Sequence, residues 1–209
     1  TNASTLENVS PQLLKVVERA KREPEGRFNS LAHLIDVPAL ERAYRRSRKD
    51  AAVGVDGVTK EEYGQDLEGN LQDLHERMKA NRYRHQPIRR VYIPKGKGKV
   101  RPIGISAFED KLVQDAVREV LEAIYEQDFL DCSHGFRPKR SAHDGVRTLD
   151  RIVYRGEVSW ILEADIMSFF DSLDRKKLKE MLEIRVADGS LLRLIGKCLH
   201  VGVLDGVEL

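Results

Sequence analysis

The sequence predicts an α/β fold of the α+β kind, on three observations. Apolar residues recur at helical spacing over several long stretches. A strongly basic turn is flanked by two strand-like segments, 88–93 and 100–105. Residues 158–166, with Val158, Trp160, Ile161, Leu162 and Ile166, read as a strand of buried type. The chain has 209 residues and 41% apolar content, enough to bury a core and too much for disorder throughout.

Each element has its own signal. A first helix is expected over 9–21, with Ser10 as cap, Pro11 at its first position and Leu13, Leu14, Val17 and Ala20 on one face. A second spans 38–49, with Leu40, Ala43 and Tyr44 inward. Residues 50–58 form a loop around Gly54 and Asp56-Gly57. Thr59 and Glu62 then make a capping box for one helix ending near Asn81, with Leu67, Leu71, Leu74 and Met78 as its stripe. Residues 109–127 carry the strongest helical pattern, and 131–140 are irregular. Helices are expected near 141–154, 175–186 and 190–200, and the end, 202–207, looks like the start of a hairpin.

Composition excludes some classes. Charged residues reach 33% but the net charge is only +2, so distribution matters more than the sum. Cys132 and Cys198 are far apart and form neither a zinc framework nor a disulfide scaffold; both are expected to pack as inert thiols. The six histidines show no metal spacing, and His134 is expected to orient its loop by hydrogen bonding. No apolar run approaches the roughly 18 residues of a membrane span, and no signal pattern opens the chain. No membrane partner and a cytoplasmic location are the expectation.

Two acid-free basic runs stand out. Residues 82–101 hold eight Lys or Arg, and Arg42, Arg45, Arg46, Arg48 and Lys49 share a second run. Lysines beside glycines, as at Lys95, Lys97 and Lys99 with Arg101, suit phosphates. The same pattern also fits a solvated edge hairpin guarded by lysines. Two such runs together favour nucleic acid, and Tyr83, Tyr92, Phe108 and Phe136 are either stacking faces or core. Asp165, at the end of the expected strand, is placed to hold a hard cation or to serve structure alone. Asp174 reads as a helix cap.

The order of motifs resembles one family. Residues 51–59 (AAVGVDGVT), 92–105 (YIPKGKGKVRPIGI), 110–114 (DKLVQ), 133–143 (SHGFRPKRSAH) and 164–174 (ADIMSFFDSLD) resemble, in sequence order, blocks of group II intron-type reverse transcriptases. Lys139 stands where that family usually has Gly, and Arg175 where His is common. The family continues with a GTPQGG-type block and Tyr-Ala-Asp-Asp, neither of which occurs in these 209 residues. The chain is therefore expected to be a partial polymerase, inactive alone.

The resemblance implies right-hand polymerase fingers with a helical N-terminal extension and the beginning of the palm. The divisions expected are 1–58, 59–155 and 156–209. It implies Mg²⁺ held by Asp165 and the Ile166 carbonyl, with Lys99 and Arg101 on the triphosphate of the incoming dNTP. Phe170, with Phe169 as rival, would lie under the nucleotide sugar. Gly135, Phe136, Arg137 and Pro138 would line an RNA template, and Lys95 and Lys97 would bind RNA. The loop with Val53, Gly54 and Val55 would cover the template. Arg42, Arg45, Arg46 and Lys49 would contact template or intron RNA. Partners implied are an RNA template, an RNA/DNA duplex, dNTP and intron RNA; an unfinished palm would also expose apolar surface that a second copy of the chain could cover. The alternative is a non-catalytic RNA-binding module that assists intron splicing.

Overall fold

The computed structural model of the chain describes residues 10–96, 98–156 and 158–206. Lys97, an expected RNA contact, and Val207, expected in the terminal hairpin, lie outside the described residues. The described residues up to Gly26, with Glu122–Met181, form one compact unit; Arg27–Leu121 with Leu182–Leu209 form another, called here the hairpin unit.

Capping chemistry sets most helix starts. In α1 (Pro11–Arg22) the Ser10 hydroxyl accepts from the Leu13 N–H at 3.2 Å, and Pro11, lacking an N–H, costs nothing at the first position. Leu13 and Ala20 are buried, whereas Leu14 is exposed. α2 (Val37–Arg46) is capped by Asp36, which the sequence reading missed. It stops short of the expected residue 49 because the Ser47 hydroxyl donates to the Tyr44 carbonyl at 2.7 Å.

The single helix expected over 59–81 is two helices. The Thr59–Glu62 capping box starts α3 (Lys60–Tyr63), a 3₁₀ turn follows over Gly64–Asp66, and α4 (Leu67–Lys79) begins where Asp66 accepts from the Gly69 N–H. The Tyr44 hydroxyl lies over Gly64, so close that a Cβ there would sit 2.3 Å from it. Aromatic packing thus bends the chain where glycine permits it: Tyr63 meets Phe108 at 5.0 Å and Tyr44 meets Phe108 edge-on at 6.1 Å. α2 packs on α4, burying Leu40, Ala43, Leu71 and Leu74.

The hairpin forms as expected, with longer strands. β1 (Ile88–Gly96) pairs antiparallel with β2 (Lys99–Ile105), Arg89 opposite Ile105 and Ile93 opposite Arg101. Residues 202–207 were expected to open a hairpin of their own. Instead β3 (Val203–Leu204) runs parallel to β1 beside Ile88 and Arg89, giving the order β2-β1-β3. The ladder with β3 ends at Arg89, so Pro94 lies where β1 has a free edge and its missing N–H is harmless.

α5 (Phe108–Tyr125) follows the pattern expected over 109–127, burying Leu112, Val113, Ala116, Val117, Val120 and Ile124 and leaving Leu121 half-buried. α6 (Ala142–Tyr154) opens on a Ser141–Asp144 capping box and is followed by Gly156 at φ +72°. α7 (Phe169–Ser172) is a single turn. α8 (Arg175–Arg185) is capped by Asp174, which accepts from the Lys176 and Lys177 N–H groups, and α9 (Gly189–Leu199) by Asp188.

The expected strand over 158–166 is absent. Among the described residues nothing pairs with it, and Trp160 and Leu162 are 92% and 93% exposed. A strand exists only with a ladder partner, so apolar content alone does not make one. No residue of α6 is buried either. Cys132 is exposed rather than packed. Burial does push the Cys198 thiol up to about 11.

Candidate functional site

The hairpin presents its cations to solvent. Lys99 and Arg101 are two residues apart on β2 and so project from the same face; both are exposed, as is Lys95. None of the three has an acidic partner among the described residues. Gly96 at φ +86° and Gly98 at φ +72° make the turn, in conformations that other residues adopt at a cost. The base of the hairpin is anchored. The Arg89 guanidinium donates twice to the Val53 carbonyl, at 3.1 and 2.8 Å, and the Tyr92 hydroxyl donates to Asp205 at 2.7 Å. Exposed cations on an anchored hairpin suit phosphate binding, because little has to be reorganised to meet a ligand.

The loop expected to cover the template is clamped to α5. Asp56 accepts from the Phe108 N–H at 3.2 Å at the helix start, and the Lys111 ammonium donates to the Ala52 carbonyl at 2.5 Å. Gly54 is buried, and a Cβ there would fall 2.5 Å from the Ala107 Cα. Its small size is therefore a packing requirement. Val53 and Val55 are half-buried.

The arginine run of α2 meets acids from far along the chain. Arg42 forms a two-pronged pair with Glu119, at 3.2 and 3.0 Å, with side chains only 16% and 12% exposed. Arg46 binds Asp115 and Glu119, Arg45 pairs with Glu41, and Arg48 pairs with Asp50. The absence of acids within 42–49 does not leave these arginines free, whereas Lys49 is exposed and has no acidic partner among the described residues. Asp115 and Glu119 are one turn apart on α5 and receive Arg42 and Arg46.

In the other unit, Arg137 is turned inward. Its guanidinium pairs with Glu126 at 2.7 Å and donates to the Leu130 and Ser133 carbonyls at 2.8 and 3.0 Å. It thereby folds the 130–137 loop on itself. Pro138 is half-buried, Gly135 is exposed, and Phe136 is fully exposed at φ +56°. The structure shows no hydrogen bond from His134 to its loop among the described residues: its Nδ1 is buried without a partner there, and its ring packs on Gly145. Of the expected stacking faces, Tyr83 and Phe108 are core, while Tyr92 and Phe136 are open.

Asp165 and Ile166 are exposed, on the irregular segment rather than at a strand end. Ser168 follows at φ +50°, and the Phe169 and Phe170 rings meet at 5.5 Å. Among the described residues no group of three or more His, Cys, Asp or Glu could hold a metal ion.

Two acids that the sequence reading did not weigh organise the hairpin unit. Asp110 is buried and accepts from the Tyr83 hydroxyl at 2.6 Å and the Gln86 N–H at 3.0 Å, tying down the segment that leads into β1. Burial pushes its carboxyl above the ordinary range, against these hydrogen bonds. Asp188 accepts from the N–H groups of Leu31, Ala32, Ser190 and Leu191. Burial raises its pKa, but those backbone donors outweigh it and hold the carboxyl below its usual value.

Comparison with known proteins gives this arrangement its context. Residues 93–206, from the hairpin through Asp165 to β3, match the family described as "Reverse transcriptase (RNA-dependent DNA polymerase)". The chain belongs to that family. Its relatives place it in the group II intron type. It is 37% identical over 164 residues to the group II intron-encoded protein LtrA of Lactococcus lactis subsp. cremoris, covering 78% of this chain and 27% of LtrA. It is 36% identical over 204 residues to protein YkfC of Escherichia coli K12, covering 94% of this chain and 54% of YkfC. It is 33% identical over 128 residues to nuclear intron maturase 1, mitochondrial, of Arabidopsis thaliana, covering 58% of this chain and 18% of that protein. The chain therefore spans about half or less of the length of these relatives. Among the described residues no helix is long and apolar enough to cross a membrane.

Proposed function

We propose that the chain carries the nucleotide-gripping part of an RNA-directed DNA polymerase. The observation that carries this reading is the pair Lys99 and Arg101: exposed, on one strand face, without an acidic partner among the described residues, on an anchored hairpin. Two cations in that state neutralise the charge of a dNTP triphosphate as it reacts. Lys95 and Lys97 hold RNA by charge. Phe136 offers a stacking face to an RNA base, and Phe170 or Phe169 bounds the nucleotide sugar. Arg137 acts through the loop it folds.

Asp165 and the Ile166 carbonyl are hard oxygen donors open to solvent, the donor type that Mg²⁺ takes. They are an incomplete set, so further acids are required of the whole protein. When bound there, Mg²⁺ supplies Lewis-acid stabilisation of phosphoryl oxygens.

The test is primer extension on an RNA template by the full-length protein carrying Asp165→Ala. Synthesis falls to background while RNA binding is kept. Residues 1–209 alone give no extension. Wild-type synthesis by Asp165→Ala contradicts the reading and favours a splicing module that needs no catalysis, the role suggested by the relative named a maturase.

A further inference from the structure

The hairpin unit contains a cavity of about 450 Å³ that the polymerase reading does not use. It lies among the 32–36 turn, the C-terminal end of α4 and the outer face of α9. That volume is within the range of small-molecule sites, roughly 300–1,000 Å³.

Its lining combines two chemistries. Ile35, Met78 and Leu194 are apolar. Lys79, Arg193 and Lys197 are cationic, and none has a carboxylate partner among the described residues. This sets them apart from Arg42, Arg45, Arg46, Arg48 and Arg77 of the same unit, all held in ion pairs. The one carboxylate on the wall, Asp36, is occupied as the cap of α2, accepting from the Ala39 N–H at 2.8 Å. Lys197 is held rigidly by the Tyr83 carbonyl at 2.6 Å and by Asn81. The His75 ring also lines the cavity and makes no hydrogen bond among the described residues. The cavity therefore combines positive charge, an imidazole without a hydrogen bond among the described residues, and apolar side chains.

We propose that this cavity binds a nucleotide through its phosphate, with Arg193 and Lys79 on the phosphate and the base against Met78 and Leu194. The ligand chemistry is a phosphate attached to a planar heterocycle. Its source is either a free nucleotide or a single-stranded RNA end, and the two are separated by the test. The site stands apart from the hairpin and does not depend on the polymerase reading.

The experiment is calorimetric titration of the 209-residue chain at low salt, in a Lys95→Ala, Lys99→Ala, Arg101→Ala background that removes the hairpin cations. The probes are adenosine 5′-monophosphate, adenosine, and a 5′-phosphorylated single-stranded RNA pentamer. Lys79 and Arg193 are exposed, so Lys79→Glu with Arg193→Glu leaves the core intact. A matched reversal on α1, Lys15→Glu with Lys21→Glu, controls for bulk charge. At least one phosphate-bearing probe binds saturably, and the cavity reversal weakens it tenfold or more while the α1 reversal changes it less than twofold. Adenosine binds at least tenfold more weakly than its monophosphate if the free nucleotide is the ligand; binding of the pentamer alone assigns the source to RNA. No saturable binding, equal loss in the two reversals, or no loss in the cavity reversal overturns the proposal.

Discussion

Two basic runs that look alike in sequence have opposite fates in the structure. Both lack acids, and both read as nucleic-acid surfaces. In residues 42–49 Asp115 and Glu119, projecting from α5, take Arg42 and Arg46 into ion pairs, and Lys49 alone of the named cations stays exposed without an acidic partner among the described residues. The hairpin run keeps its character: Lys95, Lys99 and Arg101 are exposed and unpaired among the described residues. The lesson concerns charge at two scales. Local charge density names candidates, and the acids brought in by tertiary folding decide which remain available.

The comparison can be broken by stability measurements on the 209-residue chain. The largest effect belongs to the core that holds α5 in place. Leu112→Ala lowers unfolding free energy by about 2–5 kcal/mol, as for a fully buried leucine. Leu162→Ala, on the exposed segment, changes it by less than about 0.5 kcal/mol. Denaturant unfolding checks both, and equal costs would mean that the 158–166 segment is packed after all.

Next comes the paired run. Arg42→Ala leaves Glu119 half-desolvated and costs about 1.5–3 kcal/mol, the range for hydrogen bonds to charged groups. The hairpin variant Lys95→Ala, Lys99→Ala, Arg101→Ala costs less than about 0.5 kcal/mol. A hairpin loss as large as that of Arg42→Ala would show that its cations are structural.

A smaller, pH-dependent effect sharpens the contrast between paired and free groups. Asp188 has its carboxyl pKa lowered by backbone donors, so its contribution is present above the ordinary value of 3.8 and is lost as pH falls through the lower folded value. Asp188→Asn removes that part of the acid-side loss, read from unfolding midpoints at stepped pH. An unchanged acid profile contradicts the assignment. The smallest effect is on reactivity: a thiol reagent labels exposed Cys132 in the native chain well before Cys198, followed by mass spectrometry.

Much of the fold was legible because it is written locally. Ser10, Thr59 and Asp174 cap helices by contacts within three residues, and the α5 stripe needs only its own spacing. What was not legible depends on distant partners. The break at Gly64 needs the Tyr44 hydroxyl above it, and Asp188 acts through Leu31 and Ala32, more than 150 residues away in sequence. The parallel pairing of β3 with β1 is likewise long-range. The strand expected at 158–166 failed for a related reason: its apolar residues state what a partner would find there, and no partner among the described residues supplies it. For the site, the exposed cations Lys99 and Arg101 and the open Asp165 were named from sequence. The inward turn of Arg137 was not, because Glu126 and the two loop carbonyls that hold it carry no local pattern.

The most direct measurement is the salt dependence of RNA binding by the 209-residue chain. Plotted as log affinity against log salt, each phosphate contact contributes roughly 0.7–0.9 to the slope. Lys95→Ala, Lys97→Ala, Lys99→Ala should weaken binding and flatten the slope by about 2–3, whereas Arg42→Gln with Arg46→Gln leaves it within about 0.5 of wild type. A slope unchanged by the hairpin variant but flattened by the α2 variant would contradict the account.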